Sequence, residues 1–233
     1  MKPLFLTYTN GKEPYLTLAR KLRKDIKTLY AGDFYHLKVK SPGNNVDFFV
    51  EVNSLLYPYV SRALNEQRPI VFLDCDNGLV KSIDSLFEAD FDVAAVYRYA
   101  QMQKTGRQDY CAGLVAINNK RVDVVKKFWV EWIYRTAFYK RGLPKGFPPI
   151  LKQEGWLESW FTDQGALNEI LLPSGNQQEP EDDDYKIIPG KAYEVHGYKI
   201  LPLDRRVYGA IHTDSRDACV IHYKGKAKNQ RLR

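Results

Sequence analysis

The 233-residue chain has little cysteine and no long apolar run. Its three cysteines, Cys75, Cys111 and Cys219, stand far apart with no CxxC pair among them. Their odd number and separation argue against a disulfide scaffold and fit reduced thiols in a reducing compartment. No apolar stretch approaches the roughly 20 residues of a membrane span, so no transmembrane segment is expected. Met1–Tyr8 reads as a strand rather than as the apolar core of a signal peptide. These absences predict a cytoplasmic chain. Internal repeats and long linkers are missing too, so one domain over residues 1–233 is expected, with a basic tail at about 224–233.

What is present is ordinary for a globular protein, at 44% hydrophobic and 27% charged residues, and sufficient for a proper core. The net charge of +7 predicts an anionic partner, whether nucleotide phosphates, nucleic acid or an anionic membrane surface. Part of that excess sits in the last ten residues, KGKAKNQRLR, which leaves the body nearer neutral.

Strand and helix signals alternate along the chain. PLFLTYT (3–9) reads as a first strand ended by Asn10-Gly11, and apolar residues at helical spacing follow from Glu13 to Tyr30. FYHLKVK (34–40) reads as a second strand, and 51–66 as a helix interrupted or kinked near Pro58. RPIVFLDCDNGL brings a strand to Asp74. A short helix around 82–90, strands at 91–98 and 111–119 and an amphipathic helix at 121–139 come next. WFTDQGALNEILL (160–172) reads as a helix with Thr162 or Asp163 near its N-cap, then short strands fall around 186–188 and 198–203. ACVIHYKGKAK (218–228) reads as a last strand running into a basic loop. The alternation predicts an α/β fold with a mostly parallel sheet covered on both faces, which binds ligands at the carboxyl ends of its strands.

Asp74 and Asp76 lie at such an end. Two carboxylates one residue apart repel, so neutralising either should relieve the metal-free protein. Carboxylate oxygens are the ligands that hard divalent cations prefer, and Mg²⁺ or Mn²⁺ leaves positions open for phosphate oxygens. The plain alternative is a strand-ending turn with aspartates as caps. His222, at the end of another apolar run, is a ligand type suited to Mn²⁺, though a lone histidine is more often structural. Gly225 and Lys226 beside it offer backbone and ammonium to a diphosphate, where a solvated tail is the plain reading. Asp163 can be a helix cap worth about 1 kcal/mol, but a cap does not call for Gln164 beside it. EPEDDD (179–184) reads as a solvated loop.

Taken in order, FLDCD, CAGLVAINN, TDQGALNEI and IHYKGK resemble the GT-A glycosyltransferases, in particular the glycogenin and bacterial lipopolysaccharide galactosyltransferase group. The resemblance runs from the first strand to about Lys228 and rests on short motifs. It implies a Rossmann-like GT-A domain that moves a sugar from a nucleotide-diphosphate sugar, a UDP-sugar, to a hydroxyl acceptor with retention of configuration. It further implies Mn²⁺ (or Mg²⁺) on Asp74, Asp76 and His222, phosphates on Gly225 and Lys226, and the base near Thr7, Tyr8 and Tyr15. Cys111–Gly113 with Asp163 and Gln164 would line the sugar and acceptor side. Cys111 stands where many members carry Asn, and Tyr57 precedes Pro58 where many carry Lys, so the substrates are expected to differ. The acceptor is expected to be a glycan or a modified base in nucleic acid. A sugar-phosphate nucleotidyltransferase and a nucleic-acid-binding protein are the alternatives; YTNGKEPY is a poor version of the glycine-rich loop the first would need.

Overall fold

In a computed structural model the structure describes residues 2–30, 32–39, 45–98, 110–138, 162–173, 187–211, 216–224 and 227–232. The central sheet has the order β2-β1-β3-β6-β5-β8-β7. Its strands are β1 (Leu4–Thr9), β2 (Phe34–Lys38), β3 (Ile70–Leu73), β5 (Val93–Tyr97), β6 (Tyr110–Ile117), β7 (Tyr193–Val195) and β8 (Tyr198–Asp204). β2, β1, β3, β5 and β8 run one way, while β6 and β7 run against them. The sheet is therefore mostly parallel with one reversed strand at its centre.

Alternation along the strands explains the layers. Leu4, Leu6, Ile70, Phe72, Val93 and Ala95 face one side, where they pack with α2 (Asn45–Asn65), α3 (Val122–Phe138) and α4 (Thr162–Leu171). Phe5, Val71, Leu73, Ala94 and Val96 face the other, against Leu22 and Ile26 of α1 (Tyr15–Leu29). Every second residue changes face in a strand, so a run such as Ile70–Leu73 is apolar throughout only because both faces are covered. Phe72 stacks on Trp129 of α3 at 5.1 Å and meets Trp132 edge-on, which locks the end of β3 under two aromatic rings.

Three expectations need correction. The helix around Pro58 is not interrupted, and α2 continues to Asn65. Buried Val52 and Leu56 before the proline and Val60 and Ala63 after it hold both halves on the sheet, which outweighs the lost backbone bond. No strand forms at Ile187–Ile188; it lies instead at Tyr193–Val195 and pairs antiparallel with β8. The cause is the two-residue turn His196-Gly197, whose φ values of 52° and 82° are those that fold a tight hairpin. Lastly, the basic loop expected after the last strand gives way at Ala227–Leu232 to a helix, α6, which follows the four-residue helix α5 (Arg205–Tyr208) in chain order. The segment at 101–109 and EPEDDD lie outside the described residues.

The sheet edge away from the carboxyl ends is pinned by Asp92, 2% exposed. Its carboxylate accepts the Lys199 N–H at 2.7 Å and pairs with the Arg121 guanidinium. Asp92→Ala strands the Lys199 donor and removes a charge-assisted pair, so it should cost about 2–3 kcal/mol in urea denaturation. A loss below about 0.5 kcal/mol, typical of ordinary surface substitutions, would show that Asp92 does not pin this edge.

Candidate active site

Because β6 is reversed, its first residues meet the carboxyl end of β3. Leu73 pairs with Leu114, and the Asp74 N–H donates to the Gly113 carbonyl at 2.9 Å. The Asn77 N–H donates to the Asp74 carbonyl at 2.9 Å, closing a tight turn that throws both aspartates out of the sheet. The Asn77 side-chain amide also donates to the Gly113 carbonyl.

Asn77–Leu79 then forms a short strand, β4, which pairs antiparallel with β9 (Val220–His222) in a separate two-stranded sheet. Asn77 sits opposite His222, and the Tyr223 N–H donates to the Asp76 carbonyl at 3.0 Å. This pairing delivers the imidazole to the carboxylates. His222 Nε2 lies 3.2 Å from Asp76 Oδ1 and 3.7 Å from Asp74 Oδ2.

Asp74, Asp76 and His222 each offer a ligand atom, all within 4.8 Å of one another. Atoms about 2.1 Å from a common small cation lie up to about 4.2 Å apart, so a slight inward shift suffices. Two carboxylates and an imidazole are also the donor types that Mn²⁺ and Mg²⁺ accept. Gly113 makes the space: a Cβ there would lie 2.8 Å from His222 Cε1 and 3.1 Å from Asp74 Oδ2. The group therefore fits a divalent cation.

The charges are arranged accordingly. Burial and the neighbouring Asp76 hold the Asp74 carboxyl above its ordinary range. Burial would raise Asp76 as well, but hydrogen bonds and charge from His222 and Lys228 bring it down to about 2. Lys228 Nζ stands 2.9 Å from Asp76 Oδ2 and 4.9 Å from the centre of the Tyr15 ring. Burial works against a charged His222, yet Asp76, Cys111 and Asp74 push its pKa up to about 9.

That rise has a sign. The stability His222 lends the metal-free protein is complete below its unfolded value of 6.5 and is lost as pH climbs through about 9. Metal-free wild type should therefore lose its advantage over His222→Ala across that window, read as urea midpoints. A gap that stayed constant from about 6.5 to about 9 would refute the assignment.

Asp163 opens α4, and its Oδ1 accepts the Gln164 N–H at 2.8 Å while its carbonyl accepts Trp132 Nε1 at 2.9 Å. Burial, then the charge of Asp74, pushes the Asp163 carboxyl up to about 7. It thus belongs with the aspartate pair, with Gln164 beside it at 9% exposure. Asn168, one turn on, fixes this helix to β6: its side chain bonds both the N–H (2.6 Å) and the carbonyl (3.0 Å) of Tyr110.

Tyr8 faces the same place, since burial and then Asp163 and Asp74 raise its phenol well above the usual range. Tyr15 is joined through Lys228. Thr7 is different: at 1% exposure its hydroxyl donates to the Leu73 carbonyl at 2.6 Å, so its side chain ties β1 to β3. Gly225 and Lys226 lie outside the described residues. Lys228, Asn77 and Asn168 are the contributors that motif reading passed over or ranked low. An Asn on the apolar face of TDQGALNEIL was a legible signal for the last.

No protein-family model matches the sequence, and no curated protein sequence does so at a significant level. Solved structures do match. A glycosyltransferase involved in glycosylation of the major capsid of PBCV-1 superposes with a TM-score of 0.59, covering 100% of this chain and 99% of that one at 11% identity. The fold is GT-A. The glycosyltransferase GlyE of Streptococcus pneumoniae gives 0.50 at 15% identity, and the bifunctional glycosyltransferase WbbM 0.50 at 14%. This chain covers 56% and 46% of those two, about half their length. Within the GT-A frame Tyr8, Asp74 and Asp76 lie at the carboxyl edge of the parallel strands, and the pairing of β4 with β9 and the bonds of Asn168 to β6 bring His222, Asp163 and Gln164 to that edge. Among the described residues no helix is long and apolar enough to cross a membrane.

Proposed function

We propose that the chain is a metal-dependent glycosyltransferase, moving a sugar from a UDP-sugar to a hydroxyl acceptor with retention. The observation that carries this reading is the Asp74–Asp76–His222 group at the ligand-binding edge of a GT-A fold. Tyr8 and Tyr15 flank that group on the β1 side and supply ring faces for the base. The bound cation, Mn²⁺ or Mg²⁺, would neutralise the diphosphate as a Lewis acid. Lys228, already beside Asp76, adds a second positive charge where the leaving phosphate gains negative charge, a place also open to Lys226. Asp163 and Gln164 orient the acceptor hydroxyl. A carboxyl with a pKa of about 7 can hold or release a proton near neutrality. Retention requires no stronger base, since a departing phosphate oxygen can take the acceptor's proton.

The nucleotidyltransferase alternative lacks support, because β1 passes into α1 through Asn10-Gly11-Lys12 with one glycine rather than a glycine-rich loop. The nucleic-acid reading also weakens: Lys228 and Arg231 of α6 are engaged by Asp76 and Asp25.

A screen of nucleotide sugars, read by released nucleotide, tests the proposal. UDP should appear from at least one UDP-sugar with Mn²⁺ or Mg²⁺ and not with EDTA; no release from any donor would overturn it. Ligand-linked stability gives a second readout. At about 100 times its dissociation constant, UDP should add ~2.7 kcal/mol, a rise of roughly 5–10 °C, and only with metal present. Equal protection without metal would argue against a diphosphate bridged by the cation.

A further inference from the structure

Two cations on one face of α6 reach back to the body of the protein. Arg231, three residues after Lys228 and so on the same side of the helix, pairs with Asp25 of α1 and lies 5.3 Å from the centre of the Tyr223 ring. Gly78 of β4 leaves room for that guanidinium, since a Cβ there would lie 3.2 Å from Arg231 Cζ. The Ala227 N–H donates to the Lys224 carbonyl at 3.1 Å, which ties the start of α6 to the residues after β9. Anchored at both ends, α6 holds Lys228 Nζ 2.9 Å from Asp76 Oδ2, with the lysine side chain 18% exposed and that of Asp76 11%.

Both Asp76 oxygens are thereby engaged, Oδ1 by His222 and Oδ2 by Lys228. A divalent cation held by Asp74, Asp76 and His222, about 2.1 Å from an Asp76 oxygen, would stand within roughly 7 Å of that ammonium. This is inside a Debye length at ordinary salt, and burial lessens the screening further, so the two positive groups repel. The carboxylates of Asp74 and Asp76 match the charge of the cation and leave the ammonium over. Lys228 also lies over the Tyr15 ring, 4.9 Å from its centre, on the side of the site assigned to the nucleotide. A diphosphate oxygen there would supply the negative charge that the cation takes from the lysine.

Building on the glycosyltransferase reading, we propose that Lys228 makes cation and donor binding interdependent: its ammonium opposes the divalent cation at Asp76 until the donor's diphosphate accepts it. The chain alone then holds the cation weakly, and the chain with nucleotide holds it firmly. By linkage the cation strengthens nucleotide binding by the same factor. Metal and donor are loaded together, and a cation taken up without donor is readily given back. A lysine that served only to pin α6 would act in the opposite sense, since losing it would loosen the site and weaken the cation.

The test titrates Mn²⁺ calorimetrically into the full chain without nucleotide, then UDP into the chain with Mn²⁺ present, at one pH throughout. Lys228→Met should bind Mn²⁺ alone about tenfold more tightly than wild type, because the opposing charge is gone. The same variant should bind UDP with Mn²⁺ about 10- to 100-fold more weakly, having lost a charge-assisted bond. Lys228→Arg keeps the charge and should stay within about threefold of wild type for Mn²⁺ alone. Melting temperatures check the fold, and Lys228→Gln replaces Lys228→Met if that variant does not melt cooperatively. Unchanged or weaker Mn²⁺ binding in the neutral variant would overturn the inference, as would equal tightening in Lys228→Arg. Unchanged UDP affinity would overturn the hand-over to the diphosphate. Failure of wild type and neutral variant alike to take up Mn²⁺ would remove the inference together with the cation assignment. Nucleotide release by wild type, measured alongside, separates this claim from the one it builds on. Release with unchanged Mn²⁺ affinity in the neutral variant sinks the role of Lys228 alone. Tighter Mn²⁺ binding without release from any donor sinks the glycosyltransferase reading and leaves a lysine that opposes a cation.

Discussion

Asp76→Asn should lower turnover by about 10³ or more, because an amide gives up a charged ligand from the proposed cation site where several kcal/mol of charge stabilisation would be made. The metal-free protein gives an independent readout. Asp76 is placed between two cations, His222 at 3.2 Å and Lys228 at 2.9 Å. Removing its charge leaves those cations facing each other, so the variant should be less stable by about 1–3 kcal/mol near neutral pH. Crowding of adjacent carboxylates predicted relief from either substitution; the structure reserves relief for Asp74, whose carboxyl is the one held above its ordinary range. Asp74→Asn should therefore lose activity without losing metal-free stability. Full turnover of Asp76→Asn in EDTA would sink the metal assignment, and matched stability of the two variants would sink the pairing scheme.

Gly113→Ala is expected to disable the site through space alone. The new methyl carbon would lie 2.8 Å from His222 Cε1 and 3.0 Å from Nδ1, closer than side-chain carbons approach. His222 is 7% exposed and packed between β6 and Asp76, so the ring must turn or β6 must back away. Either movement disturbs two of the three candidate ligands. Metal affinity should fall by about 10- to 100-fold, with activity falling in step. Overall stability should drop by only about 1–3 kcal/mol, the usual penalty of overpacking. Isothermal titration with Mn²⁺ and a urea curve on the same sample separate the two effects. Wild-type affinity in this variant would mean that the ligands do not converge as described.

Some of this was readable because chemistry-bearing residues stood at the ends of apolar runs. FLDCD declared a strand and its carboxylates in five residues, and VIH did the same for the imidazole. Asp163 was readable as the opening of a helix, although its link to Asp74 required the fold. Other parts were illegible for definite reasons. β4 and β9 have three residues each, too few for alternation to register, and their pairing joins segments far apart along the chain. The His196-Gly197 hairpin was missed because histidine occupies a position where asparagine or glycine is the usual sign. Lys228 looked like one lysine among several in a tail until α6 placed it on Asp76.

The β4–β9 pairing bears on the order in which the molecule comes together. Arg231 of α6 reaches Asp25 of α1 across 206 residues, and His222 reaches β4 by the same closure. Contacts of such span are disfavoured by chain entropy until intervening segments have condensed. The two carboxylates at the end of β3 are in place as soon as β1, β3 and β6 pair, while the imidazole and Lys228 arrive only with the last segment. A divalent cation met early would find only two of the three candidate ligands, and those only once the strands have paired. Docking of β9 and α6 is then the step that would turn a folded scaffold into one able to hold a cation.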